Sequence, residues 1–291
     1  MFMPYRPDRW RRVCALAILL AAAAPCGTGA HMQAVPVEGW GPFLPDTVPC
    51  LRMVSRAVHA CFDSVFDLEE RCAAALARGS ACDRREVEAE SEAAARRMQT
   101  VLTSACQTGQ LTEVGYFGFG DATIDLRNAC LDQARAAIAT AYAPLRAATA
   151  PPPAAQCMAA SAAYGRRITR FVLERATPVM ERMATLAFQP AEKTAMVLHL
   201  GRELAATRAR WIDGLSAACP QFVNVFGRSP ESFARTMKQR ADCVLSKTYV
   251  NNAVSCPPQE CGNGVPEDGE DCDDGNQNDL DACPNDCGVS G

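Results

Sequence analysis

Cys50, Cys61 and Cys72 recur every eleven residues along a stretch whose apolar residues Val54, Val58, Val65 and Leu68 follow a three-to-four spacing. That spacing marks one face of an amphipathic helix. Eleven residues are about three full turns, so the three thiols line that face. The same eleven residues rise about 16 Å, whereas bridged cysteines need Cα atoms within about 7 Å. The three therefore cannot pair with one another, and each must reach a different segment. A chain with this pattern is predicted to fold as helices stapled together by disulfides.

The rest of the sequence carries the pattern further. Sixteen cysteines stand against three histidines, His31, His59 and His199. That many thiols suit an oxidising compartment, and so few imidazoles leave little material for a zinc enzyme or a histidine-based triad. A formal net charge of -4 argues against nucleic acid as a partner. The N-terminus has a basic segment (Arg6, Arg9, Arg11, Arg12) followed by twelve apolar residues, Val13 to Ala24. Twelve is short of the roughly 20 needed to span a bilayer and fits a signal-peptide core. Thr28-Gly29-Ala30 supplies the cleavage site, so residues 1–30 are read as a secretory signal. Cys26 offers a lipidation alternative, although Pro25 fits a lipobox poorly, and Arg11-Arg12 is an imperfect twin-arginine pair. Removing the signal leaves fourteen cysteines and no second long apolar run, hence no transmembrane helix in the mature chain. Abundant Ala and Arg with only three lysines point to a GC-rich bacterial genome. The expected location is secreted or in the bacterial cell envelope.

Charge divides what remains. Residues 257–291 hold ten acidic residues and no Lys or Arg, whereas residues 31–256 carry a balance of +3. The body is predicted to be all-α, with helical stretches over about 50–77, 87–105, 129–142, 157–187, 191–218 and 230–249. A Pro/Ala-rich linker over 147–156 separates helical unit 1 (31–146) from helical unit 2 (157–256). The units look like copies. Cys106 and Cys130 lie 24 apart, as do Cys219 and Cys243, and a shift of 113 superposes Glu90 on Glu203, Arg97 on Arg210 and Leu102 on Leu215. Each spacer holds an aromatic-glycine element, Tyr116-Phe117-Gly118 and Val225-Phe226-Gly227. At the front, a shift of 107 pairs Cys50 with Cys157. The recurrence makes Cys106–Cys130 and Cys219–Cys243 the expected equivalent bridges.

The tail is a small irregular module of its own. Four cysteines (Cys261, Cys272, Cys283, Cys287) lie among Gly, Asp and Asn, too little apolar material for a core, so disulfides, a metal or both must hold it. Oxygen-rich side chains without histidine select a hard cation, and calcium is the abundant one outside the cell. From Cys261 to Cys287 the residues resemble the Myxococcus cysteine-rich repeat of secreted bacterial proteins. The first half is similar to the calcium-binding segment of disintegrin modules. That resemblance implies calcium held by the side chains of Asn263, Glu267, Glu270 and Asp273 and by the carbonyls of Glu260 and Val265. Pro266 inside the loop, and Leu280 and Ala282 at positions commonly glycine, are departures from the repeat. The body's cysteine-led helices with an aromatic-glycine spacer look like segments that accompany such tails, and no activity follows from that.

Catalytic constellations are scarce. His59 and Cys61 lie about 200° apart around their helix, so they do not face each other. His199, between Leu198 and Leu200, reads as an exposed or capped position, and Trp211 as core. The arginines read as solvated faces beside acids such as Glu69 and Glu70. No nucleophile elbow, zinc-protease motif, phosphate loop or Cys-x-x-Cys pair occurs. The sequence therefore points to a non-enzymatic protein with an extracellular or envelope partner. Two alternatives stay open: a secreted enzyme with a carboxylate site in the body, and a ligand or peptide binder using a groove between the two units. Converging acids in a deep cleft would favour the enzyme, and a dry groove of Phe, Leu and Met the binder.

Overall fold

Each long apolar stripe of the sequence becomes a helix in the computed structural model, which describes residues 42–143, 150–185 and 190–250. Eight helices occur among them, and no strand. In order they are α1 (Thr47–Ala77), α2 (Arg84–Ala105), α3 (Thr108–Val114), α4 (Phe119–Ala141), α5 (Pro152–Thr185), α6 (Pro190–Ala218), α7 (Phe222–Phe226) and α8 (Pro230–Thr248). The all-α reading holds. None of these helices is long and apolar enough to cross a membrane.

Local chemistry explains several helix boundaries. Asp83 caps α2 by accepting from the backbone N–H groups of Arg85 and Glu86, and Ser229 caps α8 through Ser232. Gly79, at φ 76°, turns the chain after α1 in a conformation open to a residue without Cβ. The prolines expected to lie in a linker behave differently. Pro152 and Pro153 occupy the first turn of α5, where the missing N–H has no intrahelical partner to lose.

The apolar stripe of α1 supplies the centre of the core. Val58, Phe62, Val65 and Phe66 are fully buried or nearly so, and α1 packs against α2, α4 and α5. α8 packs against α4 and α5, placing Phe233, Met237 and Val244 inside. Helices from both halves of the sequence thus share one core. Gly165 of α5 admits Met237 of α8, whose Sδ lies 3.0 Å from where a Cβ would stand.

The disulfides correct one expectation. Cys106 bonds Cys50, not Cys130, and Cys130 bonds Cys61. Cys219 bonds Cys157, not Cys243, and Cys243 is disulfide-bonded elsewhere. Cys72 bonds Cys82. The reason is the direction of the helices. α2 doubles back along α1, so the residue ending α2 returns to the start of α1, with Cα atoms 5.0 Å apart. Cys130 lies midway along α4 and meets the midpoint of α1 at 5.7 Å. Cys157–Cys219 clips α5 to α6 in the same manner as Cys50–Cys106 clips α1 to α2, again at 5.0 Å.

Candidate functional site

Some of the charged residues expected on solvated faces are instead committed to contacts between helices. Glu69 is buried and takes Arg84 of α2 at 2.6 Å and Arg135 of α4 at 3.5 Å. Glu70 and Asp67 both receive Arg166 of α5, whose guanidinium also lies 4.7 Å from the centre of the Phe66 ring. Arg170 reaches Asp63 at 3.3 Å. Burial raises the pKa of Asp63 against the lowering influence of Arg170 and Arg166, and burial raises that of Glu70. Sequence periodicity places these groups at the edge of the apolar stripe, but pairing across helices is a tertiary property.

The two described histidines, His59 and His199, remain outside any constellation. His199 is exposed. His59 Nε2 is sealed from water without a hydrogen-bond partner among the described residues, and burial drives its pKa down to about 4. It is a neutral ring in the packing of α1. Trp211 is half-buried and meets Phe171 edge-on at 5.2 Å, as a packing residue does. Among the described residues no group of three or more His, Cys, Asp and Glu is placed to hold a metal ion.

Two clefts remain. One, of about 440 Å³, lies where the end of α1 meets the start of α5 and is lined by Ala74, Ala77, Tyr142, Pro152 and Ala159. Alanine and proline make up most of its walls, with Arg78, Tyr142 and Gln156, rather than Phe, Leu and Met. The Tyr142 hydroxyl is buried without a partner, and burial, reinforced by the Glu70 carboxylate, pushes its pKa up to about 12. The other, of about 420 Å³, lies between α1 and α2 and is lined by Ser64, Asp67, Leu68, Arg71, Glu90 and Arg97, among others. Arg71, Glu90 and Arg97 form no ion pair with any described residue, whereas Asp67 is engaged by Arg166. Helical spacing puts Glu90 and Arg97 two turns apart on one face of α2, a signal present in the sequence and not read as a site.

The expected calcium ligands Glu260, Asn263, Val265, Glu267, Glu270 and Asp273, and the cysteines Cys261, Cys272, Cys283 and Cys287, lie outside the described residues. No protein-family model, curated protein or solved structure matches the chain.

Proposed function

We propose that this is an exported, non-enzymatic protein of the bacterial exterior or envelope, acting by interaction, with a duplicated helical body and a calcium-binding C-terminal module. The observation that carries the reading is the set of four cross-links within the described body. Thiols in a reducing cytosol are kept apart, so a fold that relies on several bridges belongs to an oxidising space. The apolar N-terminal run with its basic flank supplies the route out of the cytosol.

Duplication draws support from the two helix pairs clipped at corresponding ends, and from the order long, long, short, long that runs through α1–α4 and again through α5–α8. The calcium reading rests on the tail's composition and on its likeness to the cysteine-rich repeat. Four side-chain and two carbonyl oxygens meet the lower end of the six to eight that calcium takes.

The test uses the oxidised chain beginning at His31. Titration with a thiol reagent is expected to find no free cysteine, and calorimetry to give saturable calcium binding that Asn263→Ala or Glu270→Ala removes. Free thiols in protein recovered from the envelope would overturn the compartment assignment. Absence of calcium heat would overturn the module.

A further inference from the structure

The two clipped helix pairs can be compared position by position, because each starts and ends on its own disulfide. Counted from Cys50 and Cys157, Ser64 and Leu68 of α1 fall level with Phe171 and Arg175 of α5. Counted from Cys106 and Cys219, Glu90 and Arg97 of α2 fall level with Glu203 and Arg210 of α6. In the α5–α6 pair this position is filled. Phe171 packs edge-on against Trp211, the Arg175 guanidinium lies 5.3 Å from the centre of the Phe171 ring, and its Nε pairs with Glu203 at 3.1 Å. In the α1–α2 pair a serine replaces the aromatic and a leucine replaces the arginine. The plug is gone, and the open cleft of about 420 Å³ takes its place. Glu90, the counterpart of Glu203, has lost its partner there.

The groups left in the cleft are of both signs. Among the described residues Arg71 and Arg97 are two cations without an ion pair, and Glu90 is an anion without one. A purely anionic ligand would meet Glu90 and Asp67, and a purely cationic one would meet both arginines. A ligand with one carboxylate and one ammonium satisfies each sign at once. Planar guanidinium groups match a carboxylate through paired N–H donors, and Leu68 offers an apolar wall for a side chain. The groove is open and its charged lining exposed, and about 420 Å³ leaves room for a small molecule.

We infer that the α1–α2 cleft binds a small zwitterion, a free amino acid or short peptide with both termini unblocked. The carboxylate lies against Arg97, the ammonium against Glu90, and an apolar side chain against Leu68, with Arg71 at the far end of the cleft. This site is independent of the calcium module and of the compartment assigned above.

The test is calorimetry of the oxidised chain with L-leucine and L-alanyl-L-leucine, beside N-acetyl-L-leucine and L-leucinamide. Saturable binding of at least one unblocked probe is expected, weakened about tenfold or more by either block, a loss the size of one charge-assisted contact. Arg97→Ala, at an exposed position without an ion pair among the described residues, is expected to keep the melting temperature and weaken binding to a similar degree. Ser64→Phe with Leu68→Arg, which imports the Phe and Arg of the α5–α6 plug, is expected to abolish it. No saturable binding of either unblocked probe up to about 10 mM, equal binding of the blocked probes, or binding indifferent to Arg97→Ala would each overturn the proposal.

Discussion

Arg166 of α5 places its guanidinium 4.7 Å from the centre of the Phe66 ring of α1 while pairing with the carboxylates of Asp67 and Glu70 on either side. It is one rung of an antiparallel seam. Moving up α5 through Arg166, Arg170 and Glu181, the partners move down α1 through Asp67, Asp63 and Arg52. A ring face and two carboxylates around one guanidinium need its planar fork, which an ammonium does not supply. Arg166→Ala is therefore expected to lower stability by about 1–2 kcal/mol, read from the urea midpoint. Arg166→Lys should recover less than half of that. Full recovery by lysine would show that charge alone matters at this rung.

Non-reducing digestion and mass spectrometry should return peptides joined through Cys50–Cys106, Cys61–Cys130, Cys72–Cys82 and Cys157–Cys219. The bridges should also differ in weight. Cys61–Cys130 spans 69 residues and Cys72–Cys82 spans 10. Chain-entropy arguments make removal of the longer closure costlier by about 1.5–2 kcal/mol. Paired serine substitutions compared by denaturant unfolding check the order, and a linked Cys106–Cys130 peptide would refute the pairing.

His59 gives the fold a defined acid response. The unfolded chain protonates histidine near pH 6.5, and the folded one resists until about 4 because burial disfavours the charged ring. Within that window the unfolded state binds more protons. Stability is therefore full above it and falls as the pH drops through it. The expected loss is on the order of 2 kcal/mol between about pH 7 and about 4.5. His59→Phe should flatten this part of the profile, and an unchanged slope would assign it to the carboxylates instead.

Two glycines in helices should respond in opposite directions to alanine. A Cβ on Gly165 would stand 3.0 Å from Sδ and 3.3 Å from Cε of Met237, which is fully buried. The overpacking cost of about 1–3 kcal/mol exceeds the helix-propensity gain of about 1 kcal/mol, so Gly165→Ala should destabilise. Gly120 near the start of α4 faces open space, and Gly120→Ala should be neutral or stabilising by a few tenths of a kcal/mol. Thermal midpoints of the two variants decide the matter, and a gain at Gly165 would mean that Met237 yields without cost.

The sequence by itself determined most of the helical residues, because a helix is specified by residues three and four apart, although the first ten residues of α4 lay outside the predicted stretch 129–142. Val54, Val58 and Val65 mark the buried stripe of α1 without reference to any other segment, and all three are buried. The short helices α3 and α7 escaped notice, since seven and five residues carry too little periodicity. The eleven-residue spacing of Cys50, Cys61 and Cys72 dictated that each must bond elsewhere, yet it could not choose the partners. That choice depends on which helix doubles back along which, a consequence of packing several apolar stripes into one core. Recurrence at equal spacing pointed to Cys106–Cys130, whereas helix direction brought Cys106 to Cys50. The same holds for charge. Glu69 and Arg97 read alike as surface residues, and only the packed helices bury one between two arginines and leave the other without an ion pair among the described residues, beside an open cleft.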